Sequence, residues 1–343
     1  MSERPLRLAV VGCGAVAASH YLPALAAAPG IEPTLLVDAD AGRARALAAR
    51  WGVPATASSI DGLPAQAEAA VLALPNHLHA PLAIELLGRG VHVLVEKPMA
   101  TSTADCERML EAARSADRVL AVGLQFRFFD STELVARWLA SGLLGELRSF
   151  DLKLGVVSRW PFATDYFLRR ESAGGGVLTD YGAHVLDLLL HWLGPWRELS
   201  YRDDAQGGLE SDCELELEMA SGVTGRVEVS RSRNLRNTCR FLGEHASLEV
   251  GIWDPDPPMV LRLPGEEIQL AGRAHRPGSA GLAFNQAFLR SLEDFAAAIR
   301  EGRPAQVDGH QGCLGVALVE ACYAARRPLE LPWDPAPTPG ASP

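Results

Sequence analysis

A glycine-spaced turn near the start of the chain constrains the fold more than any other feature. The apolar run Leu6–Val11 is followed by GCGAVA, which has the pattern G-x-G-x-x-A. Gly12 permits a tight turn, Gly14 lets a pyrophosphate approach the backbone, and Ala17 allows the next helix to pack closely. Together with the helix N-terminus, the turn predicts a dinucleotide-binding site. The residues predicted to bind the cofactor here are Gly12, Gly14, Ala15 and Val16.

Asp38 supports this interpretation. It ends the second predicted strand about twenty residues beyond the turn, where an acidic side chain accepts a hydrogen bond from a ribose hydroxyl. Its carboxylate repels a 2′-phosphate, and Ala39 and Asp40 bring no cation, so NAD is predicted in preference to NADP. Arg43 and Arg45 are near enough in sequence to keep NADP as an alternative. An ordinary βαβ turn with a surface aspartate is the structural alternative.

The order of apolar runs predicts two domains. Residues 1–125 alternate predicted strands (6–11, 34–37, 69–74, 92–96, 119–125) with predicted helices (15–28, 41–51, 79–89, 103–116). This alternation is typical of an α/β Rossmann domain with a doubly wound parallel sheet. Residues 126–331 combine period-two strands with helices over 131–141, 181–193, 283–300 and 309–325, which predicts an α+β domain with a large, mostly antiparallel open sheet. The Pro-rich residues 332–343 are predicted to be a disordered tail.

Composition and charge exclude several classes of protein. The chain has 343 residues, of which 48% are hydrophobic and 22% charged, and a net charge of −10. Basic residues are not clustered, so neither nucleic acid nor an anionic membrane is an expected partner. No apolar stretch reaches the roughly 18 residues of a membrane span, and no leader peptide is recognised. The six cysteines are scattered, which predicts reduced thiols, a cytoplasmic protein and no metal site.

Two segments place polar residues beyond the carboxyl ends of strands, where open α/β sheets bind their ligands. Pro75, Asn76 and His79 follow one buried strand, and Glu96 and Lys97 end the next. All five are predicted to contact the cofactor. Lys97 is also well placed to meet a substrate oxygen. The alternative is a surface lysine paired with Glu96.

A polar stripe on a predicted helix supplies candidates for proton transfer. Asp180 and His184 are four residues apart and share one helix face, which Asp187 and His191 extend. A histidine beside a carboxylate suits general acid–base catalysis near neutral pH. The alternative is a capping aspartate and a hydrogen-bonded helix histidine. Two ligands alone do not indicate a metal site.

The chain resembles the Gfo/Idh/MocA oxidoreductase family, which includes inositol dehydrogenases, glucose–fructose oxidoreductases and sugar dehydrogenases. The resemblance runs through PNHLHAP, GVHVLVEKPMA, VGLQFRF, GGGVLTDYGAHVLDLLLHWLG and VDGHQGCLGVALVEACYAARR. It implies that Lys97, Asp180 and His184 are catalytic and converge in a cleft, and that Gln125 contacts the cofactor. Relatives vary at His184, where some carry tyrosine, and often have asparagine at Gln125. The residues predicted to contact substrate are Lys97, Arg127, Trp160, Tyr166, Asp180 and His184.

The function implied is NAD(P)-dependent hydride transfer between nicotinamide and a secondary hydroxyl or ketone of a sugar, sugar derivative or cyclitol. His184, oriented by Asp180, would accept the hydroxyl proton, and cationic Lys97 would stabilise the alkoxide. One alternative is redox-assisted elimination from a 3-keto sugar with recycled NAD, which would produce no net NADH. The other is a non-catalytic NAD-binding sensor.

The predicted second sheet also indicates an oligomer. Helices cover one face of such a sheet, and apolar residues on its open face would need a partner. A homodimer or homotetramer formed through the C-terminal sheet is therefore predicted.

Overall fold

Six strands form a parallel sheet in the N-terminal part of the chain; five of them correspond to the predicted apolar runs, and the short β3 was not predicted. The computed structural model describes residues 4–157, 165–253, 259–270 and 280–330. The strands of the first sheet are β1 (Leu6–Val11), β2 (Ile31–Val37), β3 (Ala55–Ala57), β4 (Ala69–Leu72), β5 (His92–Glu96) and β6 (Leu120–Gly123). Their order is β3-β2-β1-β4-β5-β6, and every pair is parallel. This is the doubly wound Rossmann order, which confirms the predicted fold of this part.

Both faces of the first sheet are buried. Leu8 and Val10 of β1 belong to one apolar core, and Ala9 and Val11 belong to another. The helices of this part are α1 (Leu22–Ala27), α2 (Ala41–Trp51), α3 (Leu63–Gln66), α4 (His79–Gly88) and α5 (Thr103–Ala116). A π-helical turn, Ala17–Tyr21, precedes α1. Short 3-10 turns over Asn76–Leu78 and Gln125–Phe128 follow β4 and β6.

The second sheet has nine strands and is mostly antiparallel, as predicted. Its strands are β7 (Leu147–Gly155), β8 (Trp196–Asp203), β9 (Asp212–Met219), β10 (Thr224–Ser230), β11 (Thr238–Gly243), β12 (Ser247–Gly251), β13 (Met259–Leu263), β14 (Glu266–Leu270) and β15 (Arg326–Pro328). Their order is β14-β13-β12-β11-β7-β10-β9-β8-β15. The β7–β10 and β8–β15 pairs are parallel and the others antiparallel.

Helices cover one face of the second sheet. The helices in this part of the chain are α6 (Asp130–Ala140), α7 (Arg170–Ala173), α8 (Ala183–Leu193), α9 (Ala280–Glu301) and α10 (Gly309–Ala324), with a 3-10 turn over Tyr166–Leu168 and a π-helical turn over Leu178–Gly182. Trp192 of α8 packs edge-on against Phe241 of β11, with ring centroids 5.6 Å apart. Helix α9 instead contributes Phe288 and Leu292 to the core beside α1. The C-terminal segment therefore returns to the first sheet.

The open face of the second sheet carries charged side chains. The prediction that this face exposes apolar residues was therefore wrong. Buried Leu215 and Leu217 of β9 alternate with acidic residues that point outward. On that face Glu214 pairs with Arg202 at 3.1 Å, and Lys153 pairs with a glutamate of β10 at 3.1 Å. Cross-strand ion pairs of this kind pair the charges of the face with one another. The oligomer remains a prediction.

Candidate active site

Lys97 and Asp180 form an ion pair where the end of β5 meets the turn before α8. Lys97 follows the last residue of β5 and is joined to Pro98 by a cis peptide bond. Its Nζ atom donates to Oδ1 of Asp180 at 2.7 Å and to the backbone oxygen of the same residue at 3.2 Å. Both side chains keep some exposure, 16% and 26%. The structure thus brings these two residues together, as the resemblance implied.

A buried carboxylate holds the turn that carries Asp180. Oε1 of the fully buried Glu210 accepts hydrogen bonds from the amides of Gly176, at 2.9 Å, and Leu178, at 3.1 Å. The hydroxyl of Tyr323, on α10, donates to the same oxygen at 2.7 Å. These bonds fix the start of the π-helical turn. Sequence patterns do not single out Glu210, because its partners lie 32 to 113 positions away.

The glycines before this turn are required by packing. A Cβ atom on Gly175 would lie 2.1 Å from the hydroxyl oxygen of Tyr323, and one on Gly176 would lie 2.2 Å from the backbone oxygen of Glu210. Gly174 has a φ of +81°, in the left-handed region that favours glycine. The GGG motif therefore lets α10 and Glu210 approach the turn closely.

His184 is buried, and Asp180 does not orient it as predicted. Its ring stacks on Phe126, with centroids 4.3 Å apart, and its Nδ1 atom has no hydrogen-bond partner among the described residues. Burial, and then the charge of Lys97, hold the pKa of His184 well below its ordinary value. The prediction failed because the π-helical turn intervenes, so the four-residue spacing does not follow an α-helical face. The imidazole is neutral at physiological pH.

Arg231 is a second cation at Asp180 that sequence patterns did not indicate. It directly follows β10, and its Nη2 atom lies 3.6 Å from Oδ2 of Asp180. Its Nε atom is buried without a hydrogen-bond partner in the described part of the chain. Asp180 therefore lies between two cations, Lys97 and Arg231.

Glu96 lies beneath Lys97 with both carboxylate oxygens already hydrogen-bonded. Oε1 accepts from the hydroxyl of Tyr21 at 2.7 Å, and Oε2 accepts from the backbone amide of Lys97 at 3.0 Å. Burial raises the pKa of Glu96, against the lowering effect of the Lys97 charge. Glu96 thus supports the lysine loop from within, which is a different role from the predicted cofactor contact.

His79 and Asn76 are also tied to the protein itself. The His79 ring nitrogens lie 2.8 Å from the carbonyl oxygen of Pro98 and 2.9 Å from that of Leu74, so no ring nitrogen is left for a cofactor. Burial lowers the pKa of His79 to about 4. Nδ2 of Asn76 donates to the backbone oxygen of Ala173 at 2.7 Å, which connects the two parts of the chain. Pro75 precedes this 3-10 turn.

Arg127, predicted to contact substrate, is instead part of a buried ion pair. Its Nε and Nη2 atoms donate to the two oxygens of Asp187 at 2.7 and 2.9 Å. The two side chains are only 4% and 2% exposed. This bidentate pair joins the turn after β6 to α8.

The predicted substrate loop is described only in part. Tyr166 begins a 3-10 turn and is half-buried. Burial, and then the charges of Asp180 and Glu96, raise the pKa of its hydroxyl. Trp160 lies outside the described residues.

The glycine turn has the shape of a phosphate cradle. Gly12 has a φ of +98°, and a Cβ atom there would lie 2.1 Å from the backbone oxygen of Ala73. A Cβ atom on Gly14 would meet nothing within 4 Å, so this residue faces open space that a pyrophosphate would fill. Ala15 and Val16 follow it at the start of the helix and are partly buried.

Two backbone amides hold the Asp38 carboxylate beside this turn. Its Oδ2 atom accepts from the amide of Cys13 at 2.8 Å, and its Oδ1 atom accepts from the amide of Asp40 at 2.8 Å. Arg43 lies 3.7 Å from Asp38 and 3.4 Å from Asp40. Across the sheet, Oε1 of Gln125 is buried without a hydrogen-bond partner among the described residues. The cradle, the fixed acid and this unsatisfied amide all fit a dinucleotide.

Two sequence models of one family match the chain. A model described as an oxidoreductase family with an NAD-binding Rossmann fold matches residues 6–124. The GFO/IDH/MocA C-terminal domain matches residues 132–249. The chain belongs to the Gfo/Idh/MocA oxidoreductase family. The resemblance found in the sequence motifs is thereby confirmed.

Several similar proteins carry names of sugar oxidoreductases. A dTDP-3,4-didehydro-2,6-dideoxy-α-D-glucose 3-reductase from Streptomyces antibioticus is 32% identical over 334 residues, which cover 95% of this chain and 99% of the relative. A 3-ketoreductase from Actinomadura kijaniata, solved with NADP and TDP-benzene, has a TM-score of 0.83 at 24% identity and covers 96% and 100% of the two chains. Levoglucosan dehydrogenase with NADH has a TM-score of 0.83 at 21% identity, over 94% and 97%. This family member is an NAD(P)-dependent oxidoreductase acting on CH–OH groups.

The described residues contain neither a metal-binding cluster nor a membrane-spanning helix. No group of three or more His, Cys, Asp or Glu side chains there is arranged to hold a metal ion. No helix in the same residues is both long and apolar enough to cross a membrane.

Proposed function

We propose that this oxidoreductase transfers a hydride between nicotinamide and a secondary hydroxyl or ketone of a sugar, sugar derivative or cyclitol. The observation that carries the proposal is the Lys97–Asp180 ion pair, which is partly exposed at the carboxyl end of β5. Burial, and then the charge of Lys97, lower the pKa of His184. The substrate named for the Streptomyces antibioticus relative, a keto sugar nucleotide, supports the class.

Lys97 supplies the positive charge that the reaction needs. During oxidation the hydroxyl oxygen becomes alkoxide-like, and a fixed ammonium stabilises that charge more than it stabilises the neutral alcohol. Asp180 keeps Nζ in one position at 2.7 Å. Arg231 interacts with the second oxygen of the same carboxylate, so Asp180 does not fully neutralise the charge of Lys97.

His184 acts as the proton acceptor. Its lowered pKa keeps the imidazole neutral, the form that accepts a proton from the hydroxyl. The imidazolium formed would lie on the face of Phe126, where the ring electrons stabilise a cation. During reduction the imidazolium of His184 would return the proton to the substrate oxygen.

The dinucleotide, when bound, supplies the nicotinamide carbon that takes up the hydride. Gly14 and Asp38 would hold its pyrophosphate and ribose, and the amide of Gln125 would meet the nicotinamide end. We propose NAD as the preferred cofactor, because the Asp38 carboxylate beside the glycine turn would repel a 2′-phosphate. Arg43 is already shared between Asp38 and Asp40, and so offers little compensation.

Cytoplasmic location and homo-oligomerisation are also proposed. All six cysteines are free thiols, which supports a reducing compartment. The test of the oligomer is the mass in solution, measured by light scattering after gel filtration. A monomer at all concentrations would contradict it.

The function is tested with a panel of sugars, sugar acids, sugar nucleotides and inositols. Each compound is incubated separately with NAD and NADP, and reduced cofactor is followed by absorbance. We expect at least one pyranose or cyclitol to give stoichiometric NADH. If the protein binds NADH but no compound with a secondary hydroxyl is oxidised, and none of the matching ketones is reduced, the proposal is wrong.

A further inference from the structure

The helix that carries Asp180 and His184 begins without a capping side chain of its own. The π-helical turn Leu178–Gly182 continues directly into α8, and the valine at its N-cap position, Val177, has a side chain that cannot accept a hydrogen bond. The three residues before that valine are glycines. The first amides of a helix have no acceptor within the helix. Another part of the chain therefore has to supply the acceptors.

Glu210, two residues before β9, supplies them. Three successive amides donate to this one residue: those of Gly176 and Leu178 to its Oε1 atom, at 2.9 and 3.1 Å, and that of Val177 to its backbone oxygen, at 3.0 Å. The Glu210 side chain is fully buried. Hydrogen bonds in such a low-dielectric environment are stronger than in water. Glu210 therefore caps the helix from 32 positions away.

Tyr323 connects this cap to α10. Its hydroxyl donates to Oε1 of Glu210 at 2.7 Å and lies 2.9 Å from the hydroxyl of Thr179. Burial raises the pKa of Tyr323 well above its ordinary value, so the hydroxyl keeps the proton that it donates. Since a tyrosine hydroxyl has only one proton, it accepts the hydrogen bond from Thr179. Residues 176–179 are thus all bonded to Glu210 or Tyr323, and the next residue in the chain is Asp180.

We propose that Glu210 and Tyr323 are positioning residues for catalysis, because they set where the Asp180 carboxylate meets Lys97. This inference rests on the proposed function and adds two residues that act on it through Asp180. If the cap shifts, the carboxylate shifts with it, and the 2.7 Å contact between Oδ1 and Nζ is no longer held. A displacement of about 1 Å in a catalytic group can lower a rate by about a hundredfold.

The test is a double-mutant cycle between Tyr323→Phe and Asp180→Asn. The quantities measured are kcat per folded molecule and KM for the sugar with the highest turnover, together with NADH affinity. Tyr323→Phe removes one hydroxyl and keeps the ring, so we expect kcat to fall about tenfold while KM and NADH affinity change less than about threefold. In the Asp180→Asn background the same change should lower kcat less than about twofold, because the residue through which it acts is already altered.

Tyr201 offers a matched control. Its ring packs edge-on against that of Tyr323, with centroids 5.9 Å apart. Its hydroxyl is buried without an oxygen or nitrogen partner among the described residues, so it makes no bond to the helix start. Tyr201→Phe makes the same chemical change in the same aromatic pair and should retain wild-type kcat.

A second pair of variants tests the cap itself. Glu210→Gln keeps an acceptor oxygen for the amides of Gly176 and Leu178 and should retain at least about a third of wild-type kcat. Glu210→Leu fills a similar volume without an acceptor and should lower kcat by about tenfold to a hundredfold per folded molecule. Equal kcat in the two Glu210 variants would contradict the positioning role.

The outcomes separate this inference from the function on which it rests. Wild-type kcat in Tyr323→Phe overturns the inference. Equal fractional losses in the wild-type and Asp180→Asn backgrounds also overturn it, since the hydroxyl would then act independently of Asp180. In both cases turnover by the wild type leaves the proposed function intact. A wild type that binds NADH but turns over no compound of the panel rejects the proposed function, and this inference with it.

Discussion

Nζ of Lys97 and Oδ1 of Asp180, 83 positions apart in the chain, are 2.7 Å apart in the fold. One residue follows a strand of the parallel sheet, and the other lies in a π-helical turn of the C-terminal half. Neither part of the chain holds this pair alone. The predictions below test the pair and the residues that support it.

Replacing Lys97 by alanine should reduce kcat by about a thousandfold, because the developing alkoxide loses its nearest cation. Binding of NADH, followed by fluorescence, should change less than about threefold. The chain offers a well-matched control, since Lys153 is its only other lysine and lies on the outer face of the second sheet. Lys153→Ala should keep wild-type kcat. Substantial turnover by Lys97→Ala would refute the role given to Lys97.

Replacement by asparagine should reduce activity at Asp180 but stability at Asp187, seven positions further on. Asp180→Asn should lower kcat by about tenfold to a hundredfold with little change in melting temperature, because a partly exposed pair adds little stability. Asp187→Asn leaves Arg127 buried without its acid and should cost about 3–5 kcal/mol of unfolding free energy. The measurements are kcat per folded molecule and urea unfolding. An unstable Asp180→Asn with normal kcat would reverse the assignment.

The two glycines of the turn should have different roles, Gly12 in packing and Gly14 in cofactor binding. A Cβ at Gly12 meets the Ala73 oxygen at 2.1 Å, so Gly12→Ala should lose more than about 3 kcal/mol of stability. Gly14→Ala meets no protein atom and should fold normally, yet bind NADH about tenfold more weakly. Melting temperature and NADH titration distinguish the two effects. Normal NADH affinity in Gly14→Ala would show that no cofactor approaches there.

Asp38 should control the choice between NAD and NADP. In Asp38→Ser the 2′-phosphate is no longer repelled, and Arg43 is released from its 3.7 Å contact with the acid. We expect the ratio of kcat/KM for NAD to that for NADP to fall at least about tenfold. The double variant with Arg43→Gln should restore part of the NAD preference. A ratio unchanged by Asp38→Ser would contradict this role.

His79 should make stability depend on pH. Burial lowers its pKa to about 4 in the folded protein, whereas the unfolded chain binds a proton near pH 6.5. As the pH falls from about 7 to about 5, His79 therefore binds a proton in the unfolded state but not in the folded state. This difference lowers the free energy of unfolding by about 2 kcal/mol. Urea unfolding of His79→Gln should show a correspondingly weaker pH dependence. Exposed His310, changed to Gln, is the control and should retain the wild-type slope.

Continuous apolar runs made five strands of the first sheet predictable, whereas the three-residue edge strand β3 gave no such run. The bounds of β1, β5, α2 and α5 match the sequence-based ones, because a buried parallel strand or a capped helix leaves a local signal. Asp40 and Ser102, for example, cap α2 and α5 with their side chains. Strands β8 and β14 were not predicted, since each has adjacent exposed charged residues near its start and so lacks a period-two apolar pattern. The three-residue strand β15 ends in proline and gives almost no pattern.

Site residues could be predicted only where the residue type and its position at the end of a strand or helix indicate its chemistry. Lys97 and Asp180 stand out at strand and helix ends, and the structure does pair them. Whether a polar side chain is already satisfied depends on partners far along the chain. His79 and Glu96 were predicted to meet the cofactor, yet both are hydrogen-bonded within the protein. Arg231 has no local signature, because only the fold brings it to Asp180.

The two π-helical turns make helix length a determinant of the active site. Each holds one residue more than an α-helical turn. Deleting Tyr181 or Gly182 would rotate Asp180 by about 100° relative to His184. No replacement of a side chain could undo that rotation. The alignment of the two groups is therefore encoded in the number of residues, so recombination between relatives must conserve the length of this segment.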